Sequence, residues 1–277
     1  MIWVDPPNDV DYAKRTHQIM KAISEEICTC DFFRIVHNYD EMMQAKRDGV
    51  IYIFIGVEGM SYVGDDLSRI DEYYQFGVRE CMLTWNEENS LGSGATSGSD
   101  KGLTSTGKAA VEKMQELGII IDVSHLNESG FWDVIDLTRA PVIASHSNAS
   151  ALCAHPRNLT DDQLRAIAKT GGVVGLNAYN QFIQLDPRRS TVERLADHAI
   201  HMIEVMGIDH IGCGFDFVDY FTSGVAYGDN GNITKGIKNC TEIDNLFLEL
   251  SSRGLSKTDL EKIARCNFQR IIREVLK

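Results

Sequence analysis

Two short apolar runs in this chain end in the same dipeptide. Ile119-Ile120-Ile121-Asp122-Val123 leads into Ser124-His125, and Pro141-Val142-Ile143-Ala144 leads into Ser145-His146. A third run, Gly49 to Val57, is followed at once by Glu58. Two imidazoles and one carboxylate are a donor set suited to a zinc-like ion. Taken singly, each histidine reads equally as a core or rim residue bonded to backbone, and Glu58 as a helix cap or rim ion pair. Their joint position at the ends of buried-type runs favours ligation, because a lone charge there would be costly.

Further residues add chemistry around that set. Asp216 follows Gly212-Cys213-Gly214-Phe215. A carboxylate beside a divalent cation can take a proton from bound water or give one to a leaving amine; the alternative is a cap for the next segment. Gly212-Cys213-Gly214 also offers a phosphate cradle, although no clear helix starts there to supply amides. Arg157, in His155-Pro156-Arg157-Asn158, suits bidentate capture of a carboxylate, or a surface salt bridge. His155 is expected to be solvated, and His198 and His201 to lie on the outer face of a helix. His17, His37 and His210 have no evident partner. Cys28 and Cys30 form a CxC pair with no second pair, so we read inert thiols.

The elements that must place these groups alternate. Between the two Ser-His dipeptides, Glu128 to Arg139 reads as a helix capped by Asn127, giving a βαβ unit with both histidines at one sheet edge. Further strands are expected at Gly49–Val57, Glu80–Thr84, Val173–Leu176 and along His210–Asp216, with a possible one at Phe32–Val36. Helices are expected at 11–28, 40–47, 67–76, 105–117, 159–170, 191–206, 242–253, 257–264 and 267–276. Residues 87–102, rich in Gly, Ser and Asn, read as a long exposed loop and a candidate lid. A second long loop is expected over 217–238. The pattern fits one (β/α) barrel domain over residues 1–277, its chemistry at the C-terminal strand ends. An eight-stranded barrel needs one more strand than the pattern supplies. The shortage lies at the N-terminus, where the chain enters directly into a helix.

Composition narrows the partners. The 277 residues carry a formal net charge of −13 and a pI near 5.0, so a nucleic-acid partner is not expected. The longest apolar stretch, Ile51 to Val57, is far short of the ~20 residues of a membrane span. The N-terminus lacks the basic and apolar regions of a signal peptide. Seven scattered cysteines suit reduced thiols in the cytoplasm.

Val57-Glu58-Gly59, Leu83-Thr84-Trp85-Asn86, Ile121-Asp122-Val123-Ser124-His125, Pro141 to Ser147, Arg157-Asn158 and Gly214-Phe215-Asp216-Phe217 occur in this order. Together they resemble the membrane (renal) dipeptidase family of zinc metallopeptidases, over nearly the whole chain. The resemblance implies a (β/α)8 TIM-like barrel of the amidohydrolase type and a dipeptidase that uses metal-activated water. It implies Glu58 as a carboxylate bridging two zinc ions, His125 and His146 as imidazole ligands, Arg157 on the substrate carboxylate and Asp216 as the acidic residue handling the proton or substrate amine. Two departures stand out. The family's first strand ends in a His-x-Asp pair absent here, so Met1 aligns after that strand and one or no zinc ion is expected instead of two. Trp85 stands where mammalian members have histidine, which we read as a change of substrate pocket. The competing reading is a degenerate barrel binding one metal or none, and peptide without turnover. An open barrel edge would favour a homodimer.

Overall fold

Apolar runs broken by polar, amphipathic stretches fold here as strand and helix in turn. The computed structural model describes residues 1–5, 11–217 and 233–277, and the chain forms two compact units, residues 1–142 with 269–277, and residues 143–268. Most of the expected loop at 217–238 lies outside the described residues.

In the first unit the main sheet is wholly parallel. It runs β1 (Ile2–Trp3), β4 (Ile55–Glu58), β5 (Val78–Met82) and β6 (Ile120–Asp122), with β2 (Phe33–Ile35) and β3 (Ile51–Ile53) set apart as a two-stranded sheet. Register places Trp3 opposite Glu58, Glu58 opposite Met82, and Met82 opposite Asp122. The chain therefore does not run directly into its first helix, Tyr12–Cys28, because β1 comes first. Nor is 49–57 one strand. Ile51–Ile53 pairs with β2 over a small core of Val36, Met42 and Ala45, flanked by Tyr52 and Phe54. Ile55–Glu58 joins the main sheet, with a register shift at Ile55/Gly56. Helices Tyr39–Arg47, Ser105–Leu117 and Glu128–Leu137 start where side chains of Asn38, Thr104 and Asn127 accept amide hydrogens of their first turns.

The second unit carries β7 (Ile143–Ala144), β8 (Val173–Leu176) and β9 (Ile211–Cys213), also parallel, with Ile143 opposite Val173 and Val174 opposite Ile211. Its helices are Asp161–Lys169, opened by a Thr160/Gln163 capping box, then Val192–Met206, Ile243–Ser252 and Lys257–Glu261. A single π turn, Lys262–Cys266, leads into Asn267–Val275. A short helix at Asn180–Ile183 was not anticipated from the sequence.

The two surface histidines expected on Val192–Met206 part ways. His201 is half-buried, its Nε2 2.8 Å from Asp161 Oδ1. His198 is only 1% exposed: Nδ1 accepts from Ala149 N at 3.2 Å and Nε2 donates to Ile183 O at 3.1 Å. Burial pushes it down from the ordinary 6.5 to about 4. Between those values the unfolded chain takes up a proton that the folded chain refuses, so stability falls as pH drops through this interval. The loss amounts to about 3 kcal/mol. His198→Gln can both accept and donate without titrating, and is expected to flatten urea-unfolding stability between pH 6.5 and pH 4. An equal acid loss in variant and parent would refute the assignment.

Candidate metal centre

Glu58 is the last residue of β4, and the buried strand residues before it, Ile55 and Val57, fix where its side chain leaves the sheet. Gly59 then turns with φ +83°, a value favouring glycine. Three residues beyond β6, His125 comes back to the same carboxylate: Nε2 lies 2.9 Å from Glu58 Oε1. The His125 side chain is 5% exposed and that of Glu58 18%. The ring stacks on Trp85 (centroids 5.9 Å apart, planes at 29°), and Trp85 in turn meets Trp3 at 5.0 Å. On the other side of the imidazole, Nδ1 lies 3.0 Å from Asn86 Oδ1.

That arrangement tests the donor set. An amide oxygen only accepts, so with Asn86 Oδ1 facing it Nδ1 is the nitrogen placed to carry the hydrogen. A neutral ring then turns the Nε2 lone pair toward a carboxylate oxygen 2.9 Å away. Two lone-pair atoms that close need a cation between them, which a divalent metal or a ring proton supplies. Within the first unit, Glu58 and His125 thus offer one carboxylate and one imidazole donor, the chemistry that holds a zinc-like ion.

Behind the pair the first unit buries further acid groups that sequence reasoning missed. Glu80 on β5 is held well above the ordinary carboxylate range by burial and by the neighbouring Asp122 carboxylate. Asp122, 0% exposed, accepts from Ser124 N (2.9 Å) and Ser124 Oγ (2.7 Å), which fixes the turn that delivers His125. Asp5 accepts from Ser61 N at 3.2 Å, and burial pushes its carboxyl up to about 6. A single acid inside an apolar run was the available signal for Glu80 and Asp122.

The stretch over 87–102, expected as an exposed loop, is tied down in part. Leu91 and Ser93 are at most 1% exposed, Asn89 Nδ2 donates to Leu83 O (2.8 Å), and Asn127 Nδ2 donates to Ser99 O and Lys101 O. Ala95 N donates to His125 O at 2.8 Å.

In the second unit His146, Asn177 and Asp216 follow the C-terminal ends of β7, β8 and β9. His146 is 7% exposed, its Nδ1 2.7 Å from Ser145 Oγ and its carbonyl accepting from Asn177 Nδ2 at 3.4 Å. Arg157 is 3% exposed, so it is not a surface ion pair, and its guanidinium lies over the Phe182 ring at 5.5 Å. Asn158 braces its loop by donating to Cys153 O (2.8 Å) and Phe182 O (2.7 Å). His155, expected to be solvated, is half-buried against Phe182 with centroids 4.5 Å apart. Asp216 is exposed and, at φ 56°, is the one non-glycine of positive φ among the described residues. A strained backbone at a strand mouth is a common attribute of functional side chains. Gly212 and Gly214 serve packing, not a phosphate: a Cβ would lie 2.3 Å from Phe268 in the first and 1.6 Å from the Ser145 carbonyl in the second. His17, His37 and His210 do find partners, in Glu72 (2.6 Å), Glu41 (2.9 Å) and the Gly172 carbonyl (2.8 Å).

Comparison with known proteins places the chain in a family. The sequence pattern of the membrane dipeptidase family, peptidase family M19, matches residues 2–277. Dipeptidase tcpJ of Claviceps purpurea is 32% identical over 247 residues, which make up 88% of this chain and 56% of that protein. The chain therefore spans little more than half the length of that curated relative. A metallopeptidase from Rhodobacter sphaeroides, solved with a phosphinate mimic of the dipeptide L-Ala-D-Ala, is 29% identical with a TM-score of 0.83, covering 95% of this chain and 74% of its own. Another M19 structure, of a dipeptidase, is 28% identical with a TM-score of 0.87, covering 99% and 84%. The fold is the TIM-like α/β barrel of these metallopeptidases.

Proposed function

The chain belongs to the membrane dipeptidase family, peptidase family M19, and from that premise we propose that it is a zinc-dependent dipeptidase, hydrolysing the peptide bond of dipeptides with a free C-terminal carboxylate. The observation that carries the reading is the Glu58–His125 contact, in which a carboxylate and a buried imidazole face each other at 2.9 Å with Nδ1 already committed. The dipeptide mimic held by the Rhodobacter sphaeroides relative supports the substrate class.

In this reading Glu58, His125 and His146 hold the zinc ion. Zinc supplies a Lewis acid for the peptide carbonyl and lowers the pKa of water. Everything else falls to the chain's own side chains. Asp216, at its strand mouth, receives a proton on a carboxylate oxygen and returns it to the leaving amine. The Arg157 guanidinium takes the substrate's C-terminal carboxylate in a fork of two hydrogen bonds. Residues 1–277 act as one such domain, since the family match runs from residue 2 to residue 277.

The test is dipeptide hydrolysis by protein stripped with a chelator and then given zinc. Hydrolysis that disappears and returns with the metal is expected. A zinc-loaded protein that binds dipeptide without cleaving it would overturn the proposal in favour of a non-hydrolytic barrel. Arg157→Lys, which keeps the charge but loses the fork, is expected to raise KM for dipeptides roughly 10- to 100-fold with little change in kcat. Unchanged KM in steady-state kinetics would remove Arg157 from the substrate.

The proposal extends to a cytoplasmic homodimer. Six described cysteines stand outside disulfides, and no helix among the described residues is long and apolar enough to cross a membrane. Strand β1 ends its sheet, and Phe32, just before the small sheet, and Ile51 within it are 75% and 59% exposed, features that a partner copy commonly covers. Sedimentation at micromolar concentration should show twice the chain mass; a monomer would refute it.

A further inference from the structure

A ligating imidazole must present one nitrogen bare and carry its hydrogen on the other, and the partner of the second nitrogen decides which is which. At His125 that partner is Asn86 Oδ1, 3.0 Å from Nδ1. Asn86 is itself held by its backbone: its carbonyl accepts from Thr96 N and Thr96 Oγ1, each at 3.2 Å. The segment that grips it sits unusually close. A Cβ on Gly94 would lie 2.1 Å from the Trp85 carbonyl oxygen and 2.4 Å from the Asn86 carbonyl carbon. One residue later, Ala95 N donates to the His125 carbonyl at 2.8 Å. A single short segment therefore fixes the backbone of Asn86 and the backbone of His125 together, and Trp85 closes the ring face. His146 offers a contrast, because its Nδ1 meets the Ser145 hydroxyl, a group able to accept or to donate.

We propose that Asn86 is the positioning residue of the metal centre: its side-chain oxygen holds His125 in the Nδ1–H tautomer and so keeps Nε2 bare toward Glu58. This rests on the metallopeptidase reading above, yet its first test needs no metal. In the zinc-free protein, well above the ordinary imidazole range, long-range ¹H–¹⁵N correlation of His125 should give the Nδ1–H pattern. An Nε2–H pattern would overturn the proposal, since Asn86 would then be turned to donate through its nitrogen and Glu58 would be an ordinary acceptor.

Zinc titration with a competing chelator supplies the second readout. Asn86→Leu is expected to weaken zinc binding about 10- to 100-fold and to release the tautomer preference. Asn86→Asp, which keeps an acceptor in place, should retain the Nδ1–H pattern and bind zinc at least as tightly as the parent. Parental zinc affinity in the leucine variant would overturn the proposal, as would equal losses in both variants. Should the leucine variant fail to fold, the parental spectrum and the aspartate variant still decide. A parent chain that binds no zinc but shows Nδ1–H would refute the proposed function and leave the tautomer assignment standing, so the two failures are distinguishable.

Discussion

Glu58→Gln is expected to bring zinc binding and dipeptide hydrolysis down together, by roughly 10³-fold or more, with the fold intact. Glutamine matches glutamate in volume, so β4 and its register with β1 and β5 lose nothing. What disappears is the negative charge at the His125 Nε2 face. An amide NH₂ can then donate to that lone pair, doing neutrally what a cation did and removing the need for one. Metal analysis, steady-state kinetics and a melting curve check the three parts of this outcome. A variant that kept parental zinc and parental turnover would show that the 2.9 Å contact is a plain ion pair and would remove Glu58 from the metal centre.

The second large effect is on stability, at the next residue. Gly59→Ala adds a methyl 2.3 Å from Asp5 Oδ2 at a backbone φ of +83°. Asp5 is 2% exposed, so the carboxylate has no room to swing away. We expect a loss on the order of 3 kcal/mol in chemical unfolding, with zinc binding lost as Glu58 is displaced. Gly49→Ala is the control: φ is +73°, nearly the same, but nothing lies within 4 Å of the added carbon. It should cost about 1 kcal/mol, the backbone contribution alone. Equal losses at the two positions would mean that the Asp5 contact yields freely.

The six strand ends that matter were readable because each is an apolar run closed by a polar residue, and Glu58, His125 and His146 stand at three of them. Caps such as Asn127 and Thr160 placed helix starts to within a residue or two. Other features left no trace of that kind. Strand β1 is two residues long, below any periodicity. The run at 49–57 is apolar throughout, so nothing in it marks where one partner strand gives way to another. His198 sits among apolar neighbours on its helix, but its two partners, Ala149 and Ile183, are 49 and 15 residues away. Glu80 looks like a misplaced charge until its burial and Asp122, on the adjacent strand, explain why its carboxyl is held well above the ordinary range. Local pattern reports which face is buried; it says nothing of which distant polar atom will meet a buried polar group.

The segment over 87–104 has a consequence for turnover. Gly-, Ser- and Asn-rich composition suggested a flap, but backbone presses in on it: a Cβ on Gly94 would lie 2.1 Å from the Trp85 carbonyl oxygen, and one on Gly107 of the following helix 1.9 Å from the Leu91 carbonyl oxygen. It is a wall rather than a door. On the hydrolytic reading, a dipeptide meeting Glu58 and His125 passes no hinge in this segment, so solvent viscosity should leave kcat untouched on its account.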